Sequence, residues 1–307
     1  MSARLIADDT LRPFQLERSA LRGRLVRLGP AVDTVLTRHD YPDPVSRQLG
    51  ELLILAATLA GALKFDGTFS LQVKSQGAIR LMVADCTNDG EVRGYAQYDG
   101  AAVDRVERED VPRLFGSGHL ALTVQQRGSG ESYQGIVELV GVSLTECMQT
   151  YFRQSEQVPT GLRVAVGRVR DRNGEGWRAG GIVVQRLPEE GGTGALGFAT
   201  DEDWRRTMML LSTATKDELI DPDLPLDTLL FRLFHEEGVR VFQPTRLSFG
   251  CRCSKERVET MLRMFDDEQL DEMKLDDGSV LVTCQFCNQD YHLDEVELAR
   301  LRDASVH

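Results

Sequence analysis

The sequence predicts an α+β fold in three regions: an N-terminal α/β domain with a largely antiparallel sheet, a helical linker region, and a small C-terminal domain. Alternating apolar runs separated by glycine-containing turns predict the antiparallel sheet. A run rich in glycine and glutamate separates these strands from a helical region, and four clustered cysteines mark the end of the chain. The predicted domains are residues 1–187, 188–248 and 249–307.

The N-terminal domain begins with strands and two helical segments. Residues 13–28 predict one or two entry strands, and the alternating pattern at residues 22–25 fits an edge strand. Helical patterning then stops at Pro42 and Pro44, because proline lacks the amide hydrogen that a helix interior requires. A long apolar helix follows at residues 45–63 and is expected to be buried.

Further alternating runs supply the rest of the sheet. The first three are separated by Gly77 and the Asn88-Asp89-Gly90 turn, so an antiparallel meander is predicted. A helix is predicted at residues 143–154, and the last two runs complete the sheet. The predicted strands are residues 69–73, 78–84, 91–98, 119–126, 133–140, 161–169 and 179–185.

The helical linker region opens with residues 188–197, whose composition cannot bury a core. Short helices follow at residues 201–214, 215–219 and 226–236, and they carry much apolar surface for little chain. Two interpretations stay open. These apolar faces pack on an ordinary core, or they dock only while the C-terminal domain is folded and are uncovered when it unfolds.

Charge and hydropathy indicate where the protein acts. The chain has 36 Lys and Arg against 48 Asp and Glu, a formal net charge of -12, which opposes affinity for nucleic acid or anionic membranes. The N-terminus lacks the apolar core of a signal peptide. The longest apolar stretch, residues 52–63, falls short of the roughly 20 residues that span a bilayer. We expect a cytoplasmic protein with no nucleic acid partner and no membrane partner.

Catalytic motifs are missing, so no enzyme is predicted. The chain has neither the G-x-x-x-x-G-K-S/T phosphate loop nor the G-x-S-x-G nucleophile elbow. The run Cys284-Gln-Phe-Cys287 has the spacing of a thiol oxidoreductase site but lacks the strand-to-helix context of that class.

Four of the six cysteines form a pattern that predicts a metal site. Cys251, Cys253, Cys284 and Cys287 fall within 37 residues as C-x-C, a 30-residue gap and C-x-x-C. Two short pairs of thiolates from two turns supply the tetrahedral ligand set that structural zinc prefers. The sequence therefore predicts that these four residues bind Zn. His292 is the alternative ligand, whereas Cys86 and Cys147 are expected to be small buried side chains.

The C-terminal domain is small and acidic, with 14 Asp and Glu against 7 Lys and Arg from Cys251 onward. A domain of this size is only marginally stable alone, whereas structural zinc contributes about 10–16 kcal/mol in small peptides. Loss of the metal should therefore unfold it. The alternative is a static zinc ribbon that binds a fixed partner. Local disulfides are also compatible with the short spacing within each pair.

Several motifs resemble the heat shock protein 33 family of redox-regulated bacterial chaperones, over nearly the whole chain. They are Cys251-Arg-Cys253, Cys284-Gln-Phe-Cys287, Arg22-Gly-Arg-Leu-Val26, His39-Asp-Tyr-Pro42, Leu63-Lys-Phe-Asp-Gly67, Tyr133-Gln-Gly135, Tyr151-Phe-Arg-Gln-Ser-Glu156 and Phe234-His-Glu-Glu237.

The resemblance implies an inactive reduced form that binds zinc through the four thiolates. It implies that oxidant together with unfolding stress expels the metal and forms two disulfides, Cys251 with Cys253 and Cys284 with Cys287. It further implies that the C-terminal domain and the linker region then unfold. The exposed apolar surface would hold unfolded or misfolded client proteins without ATP, as a homodimer in the oxidised form.

Overall fold

The computed structural model describes residues 8–128, 130–172, 174–186 and 199–303. The chain forms two compact units, Met1–Phe249 and Gly250–His307. The described residues contain helices and largely antiparallel sheets, so the α+β class is confirmed. The glycine-rich run at residues 188–197 lies outside the described residues, and the boundary near residue 187 stays a prediction.

Fourteen strands form three sheets within the described residues. They are β1 Thr10–Leu16, β2 Leu21–Leu28, β3 Gly67–Ser75, β4 Ile79–Thr87, β5 Glu91–Tyr98, β6 Gly118–Gln126, β7 Ser132–Glu138, β8 Thr160–Asp171, β9 Gly174–Arg186, β10 Val239–Val241, β11 Thr245–Arg246, β12 Ser248–Phe249, β13 Val280–Thr283 and β14 Asp290–Leu293.

The helices of the described residues are α1 Pro30–Thr37, α2 Asp43–Ala60, α3 Gly100–Val103, α4 Val111–Phe115, α5 Leu144–Tyr151, α6 Asp201–Ser212, α7 Lys216–Ile220, α8 Leu226–Phe234, α9 Lys255–Leu262, α10 Asp267–Glu272 and α11 Glu295–Asp303. A π-helical turn, Phe152–Glu156, extends α5. No helix in this part of the chain is both long and apolar enough to cross a membrane.

The first unit contains two six-stranded sheets where the sequence predicted one. The first sheet has the order β10-β1-β2-β9-β8 with β11 also on β1, and the second has the order β12-β5-β4-β3-β6-β7. The pair β8 and β9 therefore joins the entry strands and not the meander. This pairing links residues more than 150 positions apart, so the alternation of either segment does not reveal it.

Helix α2 forms the centre of the first unit. Fourteen of its 18 residues are buried, and it packs against strands of both sheets, including β4 and β9. It begins after Pro42 and ends at Gly61, which fits the predicted proline stop and the apolar run. The long apolar helix predicted at residues 45–63 is confirmed as a buried core element.

Helices α6, α7 and α8 cover one face of the first sheet. Phe234 of α8 stacks on Phe14 of β1 with ring centroids 5.7 Å apart, in a core cluster that also contains Leu229 and Ile182. Capping boxes begin two of these helices, at Thr200 for α6 and at Thr215 for α7. Of the two interpretations of the linker helices, packing on a core describes them in this structure.

Strand β2 was predicted at an edge and is internal, since it pairs with β1 on one side and with β9 on the other. The alternating pattern at residues 22–25 was the basis of the edge prediction. Arg22 is exposed, but Arg24 donates through Nε to the carbonyl oxygen of Gly61, and Arg27 is fully buried. The alternation of polar and apolar residues does not distinguish an arginine that is buried against backbone carbonyls from one that is exposed to solvent.

Arg27 connects the first sheet to the helices that cover it. Its Nε donates to Leu219 O at 3.0 Å, Nη1 to Leu224 O at 2.6 Å and Nη2 to Glu218 O at 3.1 Å. Burial lowers the pKa of Arg27 from 12.5 to about 10, so the guanidinium stays charged at neutral pH. All three acceptors lie in or just after α7, which the arginine thereby fixes to the sheet.

Residues 239–249, called the strap below, run along an edge strand of each large sheet. β10 and β11 pair with β1, through partners such as Phe14 and Val241, and β12 pairs with β5 in parallel, with Phe249 opposite Val92. The strap ends at Phe249, two residues before the first cysteine of the second unit.

The second unit has a small core of its own. β13 and β14 form an antiparallel hairpin, and α9, α10 and α11 surround it. Its buried apolar residues are Val258, Leu262, Leu270, Val280, Leu293, Leu298 and Leu301. Helix α11 was not predicted, although Asp294 and Glu297 form reciprocal capping hydrogen bonds at its start.

Candidate metal centre

The first cysteine pair lies immediately before α9. Ser254 caps this helix, since its Oγ accepts a hydrogen bond from the Arg257 amide at 3.3 Å. The Arg257 side chain in turn donates through Nη1 to Arg252 O at 2.7 Å. These two bonds fix the backbone of the segment that carries Cys251 and Cys253.

The second pair lies in the tight turn between β13 and β14. The Cys284 amide donates to Gln289 O at 2.9 Å, and the Asn288 amide donates to Cys284 O at 2.8 Å. Asn288 has a φ of 57°, a left-handed conformation that asparagine tolerates better than most side chains. The turn therefore folds back on itself and brings Cys284 and Cys287 to one site.

The four predicted residues converge. Cys251 Sγ lies 3.4 Å from Cys253 Sγ and 3.7 Å from Cys284 Sγ, and Cys253 Sγ lies 3.3 Å from Cys287 Sγ. All four sulfurs lie within 4.8 Å of one another. A tetrahedral ion with bonds of about 2.3 Å to sulfur separates its ligands by about 3.8 Å. The cluster is thus positioned to hold a metal ion, and its ligand type is compatible with zinc.

The thiols differ in acidity. Burial opposes ionisation of Cys253, but hydrogen bonds from Tyr291 and the neighbouring thiols outweigh it and lower the pKa of Cys253 to about 7. Burial raises the pKa of Cys251 and of Cys287. Since the thiolate is the form that binds metals, Cys253 is prepared to act as a metal ligand near neutral pH.

A family model described as Hsp33 protein matches residues 9–294 of the chain. The chain belongs to the Hsp33 family. It is 40% identical to the 33 kDa chaperonin of Caulobacter vibrioides over 293 residues, which cover 94% of this chain and 96% of that protein. It is also 40% identical to the 33 kDa chaperonin of Azotobacter vinelandii over 296 residues, with 95% and 94% covered.

A solved structure of the family has the same fold. The crystal structure of the 33 kDa chaperonin Hsp33 from Thermotoga maritima aligns with a TM-score of 0.79 at 25% sequence identity, and the alignment covers 97% of this chain and 99% of that one. The predicted resemblance to the Hsp33 family is therefore confirmed. Membership in this family supports a chaperone function.

The sequence did not identify one neighbour of the four-cysteine cluster. Tyr291 lies on β14, and its hydroxyl donates a hydrogen bond to Cys253 Sγ at 3.1 Å. The sequence offered one signal for Tyr291. It lies four residues after Cys287 in an alternating strand, close enough along the chain for its side chain to reach the cluster.

The other candidates lie outside the cluster. His292 is on β14 with its Nε2 3.4 Å from Ser279 Oγ, and the cluster of four possible ligands does not include it. Cys86 and Cys147 are buried in the first unit, as predicted, and burial raises their pKa to about 12 and about 11. Buried neutral thiols of this kind are inert.

Proposed function

We propose that this chain is a redox-regulated, ATP-independent holdase chaperone that binds unfolded or misfolded client proteins and prevents their aggregation under oxidative stress. In the reduced form Cys251, Cys253, Cys284 and Cys287 bind Zn and the chaperone is inactive. The observation that carries the proposal is the convergence of these four sulfurs in a unit whose own core is small. Bound zinc would supply a link between both ends of the intervening chain.

Oxidation would convert the cysteine thiolates to disulfides, which no longer bind the metal. A thiolate attacks one oxygen of hydrogen peroxide, the O–O bond breaks, and a sulfenic acid forms while the departing hydroxide takes up a proton to become water. A second thiolate displaces hydroxide from this sulfur, which also leaves as water, and an S–S bond forms. The formation of each disulfide thus transfers two electrons from two thiolates to one peroxide.

The pairs proposed are Cys251 with Cys253 and Cys284 with Cys287. The sulfur distances alone also permit cross pairs, since Cys253 and Cys287 are 3.3 Å apart. Near-neighbour pairs release the two ends of the unit from each other, whereas cross pairs would keep them joined. Only the former convert oxidation into unfolding of the second unit, so they suit a switch.

The unfolded second unit and the helical linker region would then expose apolar surface for clients. The absence of a phosphate loop in the sequence is consistent with holding without ATP. We further propose that the protein acts in the cytoplasm, where thiol systems reduce the disulfides and reverse the switch. The oxidised form is expected to be a homodimer. We expect no nucleic acid or membrane partner, in keeping with the net charge of -12.

The test measures zinc release and client binding in the same samples. Reduced, zinc-loaded protein is treated with peroxide at raised temperature, a chromogenic chelator reports the zinc, and light scattering reports the aggregation of a chemically unfolded client. We expect about one zinc per chain to leave as aggregation is suppressed, and both changes to reverse with dithiothreitol.

The matched control is Cys147→Ser, which removes a thiol outside the cluster and should switch normally. Zinc that stays bound under peroxide, with the fold of the second unit intact, would instead support the static zinc ribbon. Insulin reduction at catalytic rates would point to a thiol oxidoreductase.

A further inference from the structure

Tyr291 is a neighbour of the four cysteines, and its hydrogen bond to the cluster can be tested separately from its packing. The ring of Tyr291 packs against the core of the second unit, and the residue pairs with Val282 across the hairpin. Its hydroxyl projects beyond that core and donates to Cys253 Sγ at 3.1 Å. One residue therefore has two parts, a ring that packs and a hydroxyl that contacts a sulfur of the cluster.

A hydrogen bond to a thiolate withdraws electron density from the sulfur. The groups that hydrogen-bond to metal ligands orient them and tune their donor strength, and hydrogen bonds to sulfur set the potential of iron–sulfur clusters in the same way. The nucleophilicity of a thiolate follows its basicity with a Brønsted slope near 0.4–0.5. When the sulfur is held as a thiolate by bound zinc, protonation no longer competes, and a donor at Cys253 therefore slows its attack on an electrophile.

We propose that Tyr291 is a positioning residue of the redox switch, whose hydroxyl orients Cys253 and restrains its reaction with oxidant. This inference rests on the proposed function. In the reduced protein the hydrogen bond keeps Cys253 directed into the cluster and lowers the electron density available to peroxide. Unfolding of the hairpin removes Tyr291 from the sulfur and ends the restraint, so heat and oxidant act on the same residue.

The test compares Tyr291→Phe with the wild type as zinc-loaded full-length protein. Phenylalanine retains the ring and removes only the hydroxyl. The matched control is Thr283→Val, which removes a side-chain hydrogen bond of the same hairpin that involves no sulfur, from Thr283 Oγ1 to Asp290 Oδ1 at 2.6 Å.

The readout is the rate at which each cysteine is alkylated by limiting iodoacetamide, where the thiolate sulfur bonds to carbon and iodide leaves. Trypsin cleaves after Arg252, so Cys251 and Cys253 fall in different peptides, residues 247–252 and 253–255. Cys284 and Cys287 share residues 275–300 and are distinguished by fragmentation. Each protein thus supplies its own reference rates.

In Tyr291→Phe we expect Cys253 to react about threefold faster relative to the other three cysteines, because its sulfur loses the hydrogen bond that withdraws electron density from it. Peroxide-driven zinc release should accelerate in parallel, and Thr283→Val should leave the ratio unchanged. A purely structural role of Tyr291 would raise all four rates together and lower the melting temperature.

Unchanged relative reactivity of Cys253, or an equal rise at all four cysteines, would overturn the inference about Tyr291 and leave the chaperone proposal standing. The proposed function fails separately if wild-type protein retains zinc under peroxide. The two failures are distinguishable because the alkylation ratio is measured on reduced protein, without client and without peroxide.

Discussion

Replacing Arg27 by methionine tests how the helical region is attached to the first sheet. Methionine has a similar reach and no charge, so it fills much of the same space but cannot donate to the three carbonyl oxygens of residues 218–224. The matched control is Arg22→Met on the same strand, because Arg22 is exposed. Any effect of losing an arginine from β2 as such should appear in both variants.

The magnitude follows from two opposing contributions. Leaving a buried acceptor without its donor costs about 1–3 kcal/mol. The bond to Leu219 O is buried and those to Leu224 O and Glu218 O are partly buried, so losing all three costs about 5 kcal/mol. Against this, burial lowers the pKa of Arg27 from 12.5 to about 10, which means that the buried charge itself costs the folded state about 3 kcal/mol. The variant regains that amount. We expect a net loss of about 2 kcal/mol in the free energy of unfolding.

Hydrogen exchange locates the effect. In Arg27→Met the amides of α7 should exchange about 30-fold faster, the equivalent of about 2 kcal/mol, while amides of α2 change less. Urea denaturation should show a lower midpoint for Arg27→Met than for Arg22→Met. Equal midpoints, or exchange in α7 that matches the control, would show that the three hydrogen bonds do not hold the helix and would refute the reasoning.

Three further predictions concern other parts of the molecule. Cys284→Ser should lose most of its zinc, measured by elemental assay, and the dispersed NMR signals of the second unit. The control Cys86→Ser should keep about one zinc per chain. Full zinc content in Cys284→Ser would contradict the proposed ligand set. Gly23→Ala should lower stability by about 1–3 kcal/mol in urea, because the added methyl would overlap the ring of Phe14, whereas Gly100→Ala meets nothing closer than 3.9 Å and should be tolerated. Burial raises the pKa of Asp9 from 3.8 to about 6, so its protonation favours the folded state: this contribution, about 3 kcal/mol, is present below about pH 4 and is lost as the pH rises through about 6. Stability relative to Asp9→Asn should fall accordingly between these pH values, and a constant difference would show that Asp9 titrates normally.

The metal centre was largely predictable because its chemistry lies in residue types at short spacing. Cys251 and Cys253 form one pair and Cys284 and Cys287 the other, and two such pairs can meet only if the intervening chain folds back. Tyr291 was not predictable, since a tyrosine in an alternating strand is usually a packing residue, and only the hairpin register shows where its hydroxyl points.

The fold was predictable where local pattern decides it and less so where distant pairing decides it. Helix α2 follows from its apolar run and its proline boundary, and the β3–β5 meander follows from its turns. The division into two sheets depends on β9 pairing with β2, a contact between residues such as Ile182 and Leu25 that no local signal specifies. The edge position predicted for β2 was wrong for a related reason, since its second partner strand, β9, and the backbone acceptors of Arg27 lie far along the chain.

The strap has a consequence for the range of polypeptides that the protein could recognise. Its residues pair with the outer side of β1 and with the first two residues of β5, Glu91 and Val92. If unfolding of the second unit detaches the strap, the edges of β1 and of β5 lose their pairing partner at the same time. Main-chain amides and carbonyls are common to every protein, so unpaired strand edges would form hydrogen bonds with any extended chain. Selectivity would then depend on whether a protein has unfolded and not on its sequence.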